Sequence, residues 1–154
     1  MKKINIILLF LFLIPVFSKA QEVFEIKWQQ SSTAKYKAAV IIYEDGTGKA
    51  RTKWQYEGDA APNFVETDLV VKTSEEGMYL LGSNPVYPGT YETYPSYLAD
   101  NFIIIQDNGK YWGVQLDEGE NFGKCSVRQI TGSDDRKNAF LKEFDEWSLN
   151  RDIN

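Results

Sequence analysis

The sequence predicts an all-β domain: about eight antiparallel strands, closed as a barrel or packed as a two-sheet sandwich, followed by one C-terminal α-helix. Three observations carry this. After residue 20 most of the chain alternates apolar and polar residues with period two. The alternating runs are short and separated by Gly, Asn, Asp and Pro turn signals. Only near the end does the spacing become helical. The chain has 154 residues, one domain's worth, with 43% hydrophobic and 25% charged residues, so its composition is that of a globular protein.

Residues 1–20 read as a cleaved signal peptide. Lys2 and Lys3 precede an apolar run from Ile4 to Phe17, and Ser18-Lys19-Ala20 offers a small-x-small cleavage site. The run is shorter than the roughly 20 residues of a membrane-spanning helix. The expected location is therefore exported, periplasmic or secreted. Residues 21–154 are the expected mature domain. Loss of Lys2, Lys3 and Lys19 takes the net charge from −5 to −8. So acidic a chain repels phosphate backbones, so no nucleic acid is expected as partner, and no membrane insertion after signal cleavage.

Phe24, Ile26 and Trp28 alternate with Glu25 and Lys27 in a first strand, and Tyr36 to Tyr43 forms a second. Asp45-Gly46 signals a hairpin in which both turn residues take φ > 0. Ala50, Thr52, Trp54 and Tyr56 share one face of a third strand, and Val65, Thr67, Leu69 and Val71 one face of a fourth. Glu75-Glu76-Gly77 turns into a fifth strand at Met78 to Leu81, and Phe102 to Ile105 reads as a buried sixth. Asn108-Gly109 turns into a seventh, Lys110 to Leu116, with Trp112, Val114 and Leu116 expected inward and Tyr111 and Gln115 outward. Lys124 to Thr131 is the eighth. Ser133 is placed to cap a helix over 134–149, with Asp134 and Asp135 favouring its N-terminus. Phe140, Phe144 and Trp147 then form an apolar stripe expected to pack on the sheet. Trp28 and Trp54 are expected in the core.

The order of an aromatic first strand, eight strands and a terminal helix resembles a lipocalin-type barrel. That family places Gly two residues before the first-strand Trp; here Ile26 stands there before Trp28. An Arg near the last lipocalin strand stacks on that Trp, and the resemblance implies this role for Arg128. The pieces Asp45-Gly46-Thr47-Gly48, Leu81-Gly82-Ser83-Asn84-Pro85 and Ala99-Asp100-Asn101-Phe102 also resemble parts of small exported bacterial β-modules with no assigned activity, which implies a compartment and a fold class but no chemistry.

The chain contains no histidine and one cysteine. That excludes Ser-His-Asp and Cys-His catalysis, His-ligated zinc and an intrachain disulfide. Cys125 alternates with Val127 and reads as a small buried hydrophobe; an intermolecular disulfide or a reactive thiol is its functional alternative. Gly46-Thr47-Gly48-Lys49 lacks the flanking residues of a phosphate-binding loop. Glu66 and Asp68, two apart on one strand, are spaced within reach of the carboxyl pair of a glycosidase. A solvated strand face explains them equally. Asp117, Glu118 and Glu120 do not match a calcium-loop spacing.

Asn84 to Asp100 is the most informative stretch. It is long, lacks periodicity, and carries Tyr87, Tyr91, Tyr94 and Tyr97 with Pro85, Pro88 and Pro95. Tyrosines on a proline-stiffened loop suit stacking or docking, although they would equally cap one end of the sheet. The expected function is a non-enzymatic exported binding module. Its expected ligand-binding residues are Tyr87, Tyr91, Tyr94, Tyr97 and Tyr111, and its partner a glycan, a small amphipathic ligand or an envelope protein. Alternatives are a structural or assembly module of the cell envelope, joined through a free sheet edge, and a carboxylate-based glycoside hydrolase. No cofactor, metal or catalytic residue is expected.

Overall fold

A computed structural model describes residues 21–30, 34–116 and 122–149. The predicted signal peptide and the side chains of Asp117, Glu118 and Glu120 lie outside these residues. The strands run β1 Glu22–Gln29, β2 Lys35–Ile42, β3 Thr47–Gln55, β4 Asn63–Thr73, β5 Met78–Val86, β6 Asn101–Asp107, β7 Lys110–Leu116 and β8 Phe122–Gln129, followed by α1 Asp134–Leu141. Each strand pairs antiparallel with its sequence neighbour, and β8 pairs with β1, so the sheet is a closed barrel rather than a sandwich. Closure pairs the edge strands that the assembly alternative would have used.

Alternation puts Phe24, Ile26, Trp28, Ala38, Val40, Ile42, Leu69, Leu80, Phe102, Ile104 and Cys125 in the lumen as one apolar core. A second core lies outside the wall. Val23, Ala39 and Ile41 project outward against Ile130, Phe140, Leu141, Phe144, Trp147 and Leu149. Burial on both faces explains why β2 reads as an almost unbroken apolar run.

The C-terminal stripe packs on the sheet as expected, but the helix stops at Leu141 instead of continuing to 149. Asp145 and Glu146 both take φ 56°, which swings Phe144 and Trp147 onto the barrel wall. There buried Arg51 donates to the Phe144 and Asp145 carbonyls at 3.2 Å each and lies 5.1 Å from the Trp147 ring. The wall thus receives carbonyls that a continued helix would have kept for itself. Ser133 occupies the N-cap position without a side-chain hydrogen bond, while its carbonyl accepts from Arg136 and Lys137.

The two hairpin signals divide. Asn108 (φ 49°) and Gly109 (φ 75°) are both left-handed, as a two-residue turn requires. At Asp45-Gly46 only Gly46 is left-handed, because the Asp45 carboxylate accepts from the Thr47 N–H and hydroxyl and tightens a longer loop.

The facing of β7 is the reverse of that expected. Ile104 pairs with Gly113, Phe102 with Gln115 and Gln106 with Tyr111, and directly opposed residues share a face. Phe102 and Ile104 are luminal, so Tyr111, Gly113 and Gln115 face inward. Trp112 faces out and is 41% exposed. The lumen at Gly113 leaves little room: a Cβ there would sit 2.8 Å from the Ile103 carbonyl and 2.9 Å from Val127.

Candidate functional site

The connections after β1, β3, β5 and β7 leave the same end of the barrel, and the tyrosine-rich segment folds over it. β5 continues to Val86, three residues into that segment. Hydrogen bonds from Tyr87 N to Glu92 O and Tyr94 N to Pro85 O then double the chain back. Tyr97 stacks on Trp54 with centroids 5.2 Å apart, Tyr94 meets Trp54 edge-on at 6.0 Å, and Tyr87 lies 4.6 Å from Tyr94. Trp54 stacks in turn on Tyr36 and Tyr36 on Trp28, forming an aromatic column from the loop into the lumen.

Asp100 sits beside this column. It accepts from the Tyr97 hydroxyl, from Thr52 Oγ1 at 3.4 Å and from Gln115 Nε2 at 3.4 Å. Burial, and after it the neighbouring Asp100 charge, raise the Tyr97 phenol above its ordinary range. Tyr94 and Tyr97 therefore close the barrel end. Tyr87, Tyr94 and Tyr97 thus pack together, while Tyr91 is 100% exposed and stands apart from them.

The fifth candidate, Tyr111, stands elsewhere. Its ring meets Phe24 edge-on at 5.5 Å and its hydroxyl donates to Gln129 at 3.2 Å. It lines a cleft at the seam between β1 and β8. The β1–β8 ladder ends at the Lys27–Ser126 pair, and Trp28 and Gln29 go on without partners on β8. The wall splits there, leaving a cavity of about 730 Å³ lined on the luminal side by Trp28, Tyr36, Tyr111, Cys125 and Val127. Ligand pockets span roughly 300–1,000 Å³ and are mostly apolar with a few polar groups. Register explains the outer rim: Lys37, Lys27, Ser126 and Trp112 are successive cross-strand partners on β2, β1, β8 and β7.

Burial pushes the Cys125 thiol up to about 12, so it lies in the cleft as a neutral, buried group. Trp28 is almost fully buried, and its indole N–H has no hydrogen-bond partner among the described residues.

Arg128 does not stack on Trp28. It faces outward and binds the Glu25 carboxylate at 3.1 Å, because residue 128 has the opposite parity to luminal Val127. Glu66 and Asp68 are held by different partners. A register shift separates them; Glu66 binds Arg51 at 2.7 Å and Lys49 at 3.0 Å, while Asp68 accepts from Asn84 at 2.9 Å. Burial would raise the Glu66 carboxyl, but the hydrogen bonds from Arg51 and Lys49 hold it below the usual carboxylate range. A general acid needs the opposite shift. Among the described residues no cluster of three or more acidic or cysteine side chains suits a metal ion.

Trp28 and Val127 are legible as inward residues of their strands, but nothing local joins them to Tyr36, Lys27, Lys35, Lys124 or Trp112. Only the β1–β8 closure does. Comparisons with protein-family models, with curated proteins and with solved structures find no match to this chain.

Proposed function

We propose that this chain is an exported, non-enzymatic binding module for a small amphipathic ligand, held in the split between β1 and β8. One observation carries the reading: a cleft of about 730 Å³ with an aromatic floor opens in the barrel wall at the β1–β8 seam. The apolar run at Ile4 to Phe17 behind two lysines supports export.

The neutral fluorophore N-phenylnaphthylamine tests the reading. It should bind the protein of residues 21–154 with enhanced emission. Ser126→Trp, on the exposed outer lip of the cleft, should abolish that binding without lowering the melting temperature. Absence of binding, or binding that Ser126→Trp leaves unchanged, would refute it.

A further inference from the structure

We infer that the ligand of this cleft is an anion, a carboxylate or similar acid whose apolar tail lies on the aromatic floor; the inference rests on the binding reading above. The protein is acidic, at −5 for the whole chain, yet among the described residues the cleft is lined by Lys27, Lys35, Lys37 and Lys124 and by no carboxylate. These lysines divide into two pairs. Lys27 and Lys37 are held by Glu25 at 3.0 and 3.1 Å, and Lys37 also by Glu143 at 2.7 Å. Lys35 and Lys124 form no ion pair among the described residues and flank the split in the wall from β2 and β8.

Two ammonium groups without an ion pair among the described residues, set above an apolar floor, attract an amphiphile with a negative head and repel one with a positive head. A carboxylate has acceptor sites for both groups. A neutral amphiphile could use the floor but would leave both lysines unneutralised.

Displacement of N-phenylnaphthylamine by laurate, dodecanol and dodecylamine, three amphiphiles with equal tails, tests the assignment. Laurate should displace it most tightly, and its affinity should fall with added salt. Lys35→Glu with Lys124→Glu should weaken laurate about tenfold or more while leaving the neutral fluorophore within about twofold, since only the charged head meets the reversed residues. Laurate no tighter than dodecanol, with the fluorophore bound as before, would overturn the anion and leave the binding reading standing. No fluorophore binding at all would remove both. Flotation with phosphatidylglycerol vesicles separates the two sources of such an anion. Protein carried by the vesicles and released by laurate identifies a lipid head group, and protein left behind identifies a free acid. Vesicle binding that laurate does not compete overturns the assignment.

Discussion

Arg51→Met tests how the C-terminal segment is held to the barrel. Arg51 is 1% exposed and Glu66 is 5% exposed, and their atoms meet at 2.7 Å. Removing one partner of a buried pair strands the other charge, which costs about 3–5 kcal/mol. Arg51 also donates to the carbonyls of Phe144 and Asp145, each bond contributing about 1 kcal/mol. Lys49 remains 3.0 Å from the other Glu66 oxygen, which limits the damage. The expected loss is therefore about 3–5 kcal/mol, read by urea denaturation as a lower midpoint at nearly constant slope. Arg51→Met with Glu66→Leu removes both charges and should recover most of that loss, to within about 2 kcal/mol of the parent. The pH dependence has a definite sign. The folded-state pKa of Glu66 is depressed, so its contribution is present above the unfolded value of about 4.3 and lost as pH falls through the folded value. The gap between parent and Arg51→Met should therefore narrow on acidification below about pH 4. A single variant within about 1 kcal/mol of the parent, or a double variant no more stable than the single, would refute the stranded-charge argument.

Other outcomes follow from burial and close approach. Tyr91→Ala should change stability by less than about 0.5 kcal/mol, because the ring touches only solvent, whereas Tyr94→Ala should cost about 1–2 kcal/mol by breaking its contacts with Trp54, Tyr87 and Tyr97; thermal melts of the two variants check this. Gly113→Ala should lower the urea midpoint, since its Cβ would press on the Ile103 carbonyl at 2.8 Å. Cys125 should react with iodoacetamide far more slowly than a free thiol at neutral pH, as burial demands.

The sequence revealed more of the fold than of the site, for reasons that specific residues make plain. Strand alternation is local, so β1 to β6 and β8 were legible from runs such as Phe24-Ile26-Trp28. β7 was not, because Tyr-Trp-Gly-Val-Gln-Leu is apolar on both faces. Side-chain bulk alone favours Trp112 inside, whereas pairing with β6 gives the lumen Tyr111, Gly113 and Gln115. The helical spacing of Phe140, Phe144 and Trp147 was equally clear. Its interruption depends on Arg51, about 90 residues away in the chain, offering donors to the Phe144 and Asp145 carbonyls. Tyrosine content drew attention to the loop at the barrel end, where Tyr94 and Tyr97 act as a plug. The cleft lay hidden because its lysines and aromatics come from strands at opposite ends of the sequence, joined only when β8 closes on β1.

The central claim is that a small amphipathic molecule occupies the split between β1 and β8. Cys125 lines that split and is the chain's single cysteine, so it reports on the site without labelling elsewhere. The rate of Cys125 alkylation at mildly alkaline pH should be measured with and without saturating N-phenylnaphthylamine. Strong protection by the bound fluorophore is the expected result. An unchanged rate while the fluorophore remains bound would put the ligand elsewhere on the protein and contradict the claim.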